Sequence, residues 1–156
     1  MKNIRCYTMI QAVYIISITG IPIYFTNRVQ NAEYIEEATL FSGVISAIQT
    51  ALVEIDVGVP SYFRTRKNDV YLEATDNFAV ALVTDQDKSL SKEDSRDILL
   101  EIINELIFHF PSLEDPEMLN NDEKDKIDDI VSKMLQKWEK KIKDSEATKK
   151  LKDSIW

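Results

Sequence analysis

The residues whose chemistry could drive a reaction are few in this chain, and their spacing keeps them apart. The one histidine, His109, stands in the stretch LIFHF. An imidazole there would need a carboxylate, a nucleophile or further metal ligands to act as a base or to hold zinc, and no second histidine exists to support it. Close carboxylates occur as Glu36/Glu37, Asp85/Asp87 and Asp128/Asp129, the residue types of acid–base or metal chemistry. Neighbours on a helix diverge by about 100°, so the first and last pairs spread over a solvated surface instead of converging. Three glycines, Gly20, Gly43 and Gly58, cannot supply a phosphate-cradling loop or a dinucleotide fingerprint. The acid-rich DPEMLNNDEKD lacks the glycine that a calcium loop turns on. The expectation is a chain with no catalytic site, no metal and no cofactor.

Composition narrows the classes further. A net charge of −8 argues against general nucleic-acid binding, which needs a basic surface. Cys6 is the only cysteine, which excludes an internal disulfide framework and a cysteine-rich zinc site and suits a cytoplasmic protein. The apolar run MIQAVYIISITGIPIYF follows Lys2 and Arg5, as a signal peptide would. It is β-branched, polar at Gln11, Ser17 and Thr19, turn-like at Thr19-Gly20, and short for a membrane span. A pair of strands is the better reading.

With little chemistry to position, the elements themselves carry the inference. A long helix is expected over 32–55, with Asn31 as N-cap and Glu33, Glu36 and Glu37 in its early turns. Ile35, Phe41, Val44, Ile45, Ile48, Leu52 and Ile55 recur at helical steps and predict its buried face. Gly43, Ala47 and Ala51 lie four apart and form a shallow stripe on which another backbone can pack closely. Two strands are expected before this helix, 10–18 and 21–26. Pro22 cannot donate to a ladder, which puts the second of them at a sheet edge.

Three strands are expected after it, 60–65, 70–75 and 78–84, joined by short polar turns and therefore antiparallel. In the last one Phe78, Val80 and Leu82 face one way and Ala79, Ala81 and Val83 the other. The small face invites a helix, met either by the Gly43/Ala47/Ala51 stripe or by the larger apolar stripe. A second helix is expected over 91–110, capped by Ser91 with Asp94 three residues on and ended by Pro111. A third is expected over 122–143, amphipathic through Ile127, Ile130, Val131, Met134, Leu135, Trp138 and Ile142, followed by a short lysine-rich tail. At 156 residues the chain is one domain's worth. Residues 1–110 are expected as the core, and 111–156 as a helix and charged tail packing on it.

The paired strands around ITGIPIYF, the helix stretch LFSGVISAIQTALVEI and the segment FRTRKNDVYLEATDNFAVALVTD together resemble the longin domain, within the longin/roadblock group of profilin-like folds. The last of these segments looks like the three-strand meander of longin-type trafficking subunits, including the small subunits of vesicle-tethering complexes. The resemblance implies an α+β fold: a five-stranded antiparallel sheet of order 2-1-5-4-3 between one long helix and two C-terminal helices. It also implies a non-catalytic interaction module acting in small-GTPase regulation or vesicle-trafficking assembly. The implied partners are a longin- or roadblock-type subunit, in a homo- or heterodimer, and a small GTPase, with no nucleic acid and at most peripheral membrane association.

The alternative is a small-ligand sensor or regulatory domain, since such a sheet can house a pocket. For a partner-binding module the third strand is the expected open edge, with Tyr62 and Phe63 as contact residues. Arg64 and Arg66 either join them or blunt the edge against unwanted pairing. The Gly43/Ala47/Ala51 stripe on the adjoining helix completes the candidate surface.

Overall fold

The computed structural model describes residues 10–28, 35–86, 90–111, 113 and 119–155. Cys6, Asn31, Glu33 and Asp87 lie outside the described residues. The elements run β1 (Ile10–Ser17), β2 (Pro22–Asn27), α1 (Ile35–Glu54), β3 (Tyr62–Arg64), β4 (Asn68–Ala74), β5 (Phe78–Asp85), α2 (Lys92–His109) and α3 (Asn121–Ile155). The five strands form one sheet in the order β2-β1-β5-β4-β3, and each neighbouring pair is antiparallel.

Side-chain alternation along β1 and β5 builds two cores. Val13, Ile15, Phe78, Val80 and Leu82 belong to a large cluster with Ile98, Ile102 and Leu106 of α2 and Ile127, Val131 and Leu135 of α3. Ala12, Tyr14, Ile16, Val70, Leu72 and Ala81 point the opposite way and pack with Ala38 and Ile45 of α1. A sheet covered on both faces explains why its central strands are apolar on both faces. Ile10 breaks the alternation and joins the α2/α3 side. The β1–β5 register shifts between Ile10 and Ala12, and a bulge of that kind transfers a side chain to the other face.

Short-range chemistry fixes the connections. In the β1–β2 turn Gly20 sits at φ +85, and a Cβ there would fall 2.9 Å from Ser46 Cβ. Only glycine lets this turn lie so close to α1. Ser91 caps α2, accepting from the Asp94 backbone N–H at 3.0 Å. Asn120 and Glu123 exchange side-chain and backbone bonds at the start of α3, a reciprocal box that satisfies two orphan donors.

Two expectations about the helices change. α3 does not stop near Lys143 but continues to Ile155; its residues 143–154 are exposed. In α1, Val44 is 48% and Ile55 66% exposed, although their helical spacing predicts the buried face. The sheet is met by Ala38, Ser42 and Ile45, which are buried, and by the half-buried Phe41, Ile48 and Leu52. The larger apolar stripe therefore fills the space over the small face of β5.

α3 is held on the body by apolar and polar contacts together. Trp138 is 6% exposed, and its indole N–H donates to Glu101 Oε2. Lys137 Nζ stands 3.1 Å from the other oxygen of Glu101. Burial opposes ionisation of Glu101, but the Trp138 and Lys137 bonds outweigh it and hold the carboxyl below its ordinary pKa. On the β2 side, Tyr24 Oη donates to Asp128 Oδ1 at 2.6 Å, and Arg28 pairs with Glu139 at 2.7 Å.

Candidate partner-binding edge

Among the described residues β3 is an end strand of the sheet, paired on one side only, with β4. It is three residues long. Tyr62 stands opposite Tyr71, Phe63 opposite Val70 and Arg64 opposite Asp69. Alternation sends Tyr62 and Arg64 to the α2 face and Phe63 to the α1 face, and the environments agree.

Tyr62 is half-buried against the α2-side core, with its ring 5.0 Å from that of Tyr71 and Lys92 Nζ 4.5 Å over its centroid. Its hydroxyl donates to Asp69 Oδ1 at 3.1 Å. Arg64 turns back across the ladder: Nε donates to Asp69 Oδ1 at 2.7 Å and Nη2 to Oδ2 at 3.3 Å. Asp69 is only 2% exposed. The Arg64 hydrogen bonds are the main reason its carboxyl stays below the usual range; burial pulls the other way, and Tyr62 adds to the lowering.

Two of the four strand candidates are thus committed inside the chain. Phe63 is half-buried on the other face, where it lines a groove of about 330 Å³ with Tyr14, Phe41, Val70 and Val83. Arg66 is exposed in the turn beyond the strand, beside Lys67. What β3 offers outward is chiefly its unpaired backbone.

Gly43, Ala47 and Ala51 are exposed, and a Cβ on Gly43 would meet nothing within 4 Å. They do not pack on the sheet. Helical spacing places Ala47 and Ala51 beside Leu40, Val44 and Ile55. Leu40 is 70% exposed, so α1 carries a second apolar face turned away from the body. The chain leaving that helix adds Val57 and Val59, also exposed, before it enters β3. Helix face, linker and strand follow one another along the chain, a succession that residue spacing alone does not single out. Its signal was present in a helix apolar on more than one side, which a fully covered helix does not require.

His109, at the end of α2, lies 3.4 Å from Glu105 and lines a cleft of about 600 Å³ with Ile130, Lys133 and Met134 of α3. Among the described residues no three His, Cys, Asp or Glu side chains gather as metal ligands. Among them, too, no helix is long and apolar enough to cross a membrane.

Solved structures share this architecture. MglB of Myxococcus xanthus superposes with a TM-score of 0.50 at 20% identity, over 67% of this chain and 85% of that one. A chain from a homology model of the full-length AP-3 complex, in a stretched open conformation, superposes with a TM-score of 0.59 at 12% identity, over 91% of this chain and 98% of that one. The fold is longin-like. No protein-family model matches the chain, and no curated protein matches it in sequence. Along the chain the 55–61 linker joins α1 to β3; in the fold α1 packs on β1 and β2, and Phe41 and Phe63 line one groove.

Proposed function

We propose that this chain is a non-catalytic protein–protein interaction module of the longin type. It pairs with a second longin- or roadblock-like subunit and serves a small-GTPase-regulating or vesicle-trafficking assembly on the cytosolic side of a membrane. The observation that carries the reading is the exposed apolar face of α1, Leu40, Val44 and Ile55, running through Val57 and Val59 into an unpaired strand edge. Apolar residues gathered this way in a soluble chain mark contact surfaces, and an open edge with free donors and acceptors is a template for another strand. The two likenesses to MglB and to a chain of the AP-3 complex support the fold, and the second, a chain of a multi-subunit complex, supports the assembly reading.

In this reading Phe63 and the edge backbone make the strand contact, and Gly43, Ala47 and Ala51 admit a partner helix at close range. Tyr62 and Arg64 hold the strand in place, and Arg66 stands at the rim. The core is the 1–110 unit, with the 111–156 segment as its cover.

The test mixes the purified chain with small GTPases and longin-type subunits encoded in the same genome and measures binding and nucleotide exchange. Binding that Phe63→Asp abolishes while the fold persists is the expected result. A chain that binds none of them, and whose α1 and β3 substitutions change nothing, overturns the proposal.

A further inference from the structure

We infer that the β3 edge selects an acidic strand from a different protein and disfavours a second copy of this chain. The inference rests on the interaction-module reading and names the partner's chemistry. Although the protein is net −8, cations collect at both ends of this edge. At its start, exposed Lys92 and Arg96 on the first turns of α2 line a hollow of about 340 Å³ with Ser61, Tyr62 and Glu73. Among the described residues neither cation forms an ion pair, and Lys92 is placed over the Tyr62 ring. At its end stand Arg64, Arg66 and Lys67, all exposed. Arg64 is paired with Asp69, and Asp85 lines a hollow with Arg66 and Lys67.

Symmetry then decides between partners. Two copies joined edge to edge about a two-fold axis run antiparallel, so the start of one β3 meets the end of the other. Lys92 and Arg96 of one copy would face Arg64 and Arg66 of its mate. Like charges brought together at an interface disfavour that pairing strongly. A strand carrying glutamate or aspartate at alternate positions presents its acids on the α2 face and finds cations at both ends. The Tyr62 ring, fixed by its bond to Asp69, gives Lys92 a set position from which to reach them.

The experiment uses the full chain and two labelled short strand peptides, one alternating valine with glutamate and one alternating valine with lysine. Fluorescence anisotropy should show the glutamate peptide binding about tenfold or more tightly than the lysine peptide. The preference should fade near 1 M salt, where charges are screened beyond about 3 Å. The double variant Lys92→Glu/Arg96→Glu should remove most of the preference without altering the circular dichroism spectrum, since both side chains are exposed. Equal binding of the two peptides, or a preference unchanged in the double variant, overturns the inference. So does a wild-type chain that self-associates through β3, shown by a Phe63→Asp variant that sediments as a monomer, but that result leaves the interaction module intact. Binding of neither peptide overturns the acidic-strand inference alone, because pairing through α1 still supports the module.

Discussion

Arg64 and Asp69 face each other across the β3–β4 ladder, and the guanidinium grips the buried carboxylate through two hydrogen bonds. A three-residue edge strand has few ladder bonds of its own, so this pair, with the Tyr62 hydroxyl on the same carboxylate, sets its position. The Asp69 pKa is lowered in the fold, which means the pair stabilises the protein above the unfolded-state pKa of about 3.9. That contribution is lost as the pH falls through the lower, folded-state value. Arg64→Leu should therefore melt below the wild type at pH 7, and the gap should narrow as the pH drops below about 4. Equal melting temperatures at neutral pH would show that the pair does not hold the edge.

Gly20 and Gly43 make opposite predictions for the same substitution. Gly20→Ala puts a methyl against Ser46 at a backbone angle of φ +85 and should cost about 1–3 kcal/mol. Gly43→Ala adds a methyl into open space within a helix and should stabilise the isolated chain by up to about 1 kcal/mol. Chemical denaturation of the two variants measures both signs. A destabilised Gly43→Ala would place another element on that stripe.

Much of this fold is legible in the sequence, because alternation in β1 and β5 forces a sheet covered on both sides. Val13 and Ile15 separate from Tyr14 and Ile16 as a period of two requires, and Pro22 marks the edge strand β2. The failures have physical causes. Asp69, read as part of a polar turn, lies in β4 and is buried; its charge is tolerated only because Arg64 and Tyr62 complete it, and sequence spacing does not reveal that pairing. Val44 and Ile55 have the right period for burial, but α1 is apolar on two sides and periodicity cannot say which side meets the sheet. The helical continuation of α3 past Lys143 lacks buried side chains, so the loss of its apolar stripe read as a tail. The candidate edge is legible as a strand in the sequence, whereas the inward commitment of Tyr62 and Arg64 follows only from the register.

Trp138 should be the anchor of α3. It is buried, bonded to Glu101 and capped by Lys141, whose Nζ lies 4.4 Å from its ring centroid. Trp138→Ala should destabilise the protein by about 3–5 kcal/mol, whereas Leu151→Ala, at a residue 63% exposed, should stay within about 0.5 kcal/mol of wild type. Urea unfolding followed by tyrosine fluorescence and circular dichroism compares the two on one scale. Similar, small effects at both positions would mean that α3 contributes little to the body.

The exposed face of α1 gives the sharpest separation of folding from function. Leu40 and Val44 are 70% and 48% exposed, so Leu40→Asp and Val44→Asp remove little buried area and should change stability by no more than about 0.5 kcal/mol. Each places a charge in the middle of the proposed contact surface, where an unpaired buried charge is costly, and should abolish capture of the partner subunit. Gly43→Leu extends the logic: Gly43 is exposed and an added Cβ meets nothing within 4 Å, whereas a helix packed closely on the Gly43/Ala47/Ala51 stripe leaves no space for a leucine. That variant should melt normally and fail to pair, as read by sedimentation of the mixture. If all three variants bind as the wild type does, the α1 face is not the contact surface. If instead they unfold, α1 is packed against the body through this face, contrary to its exposure.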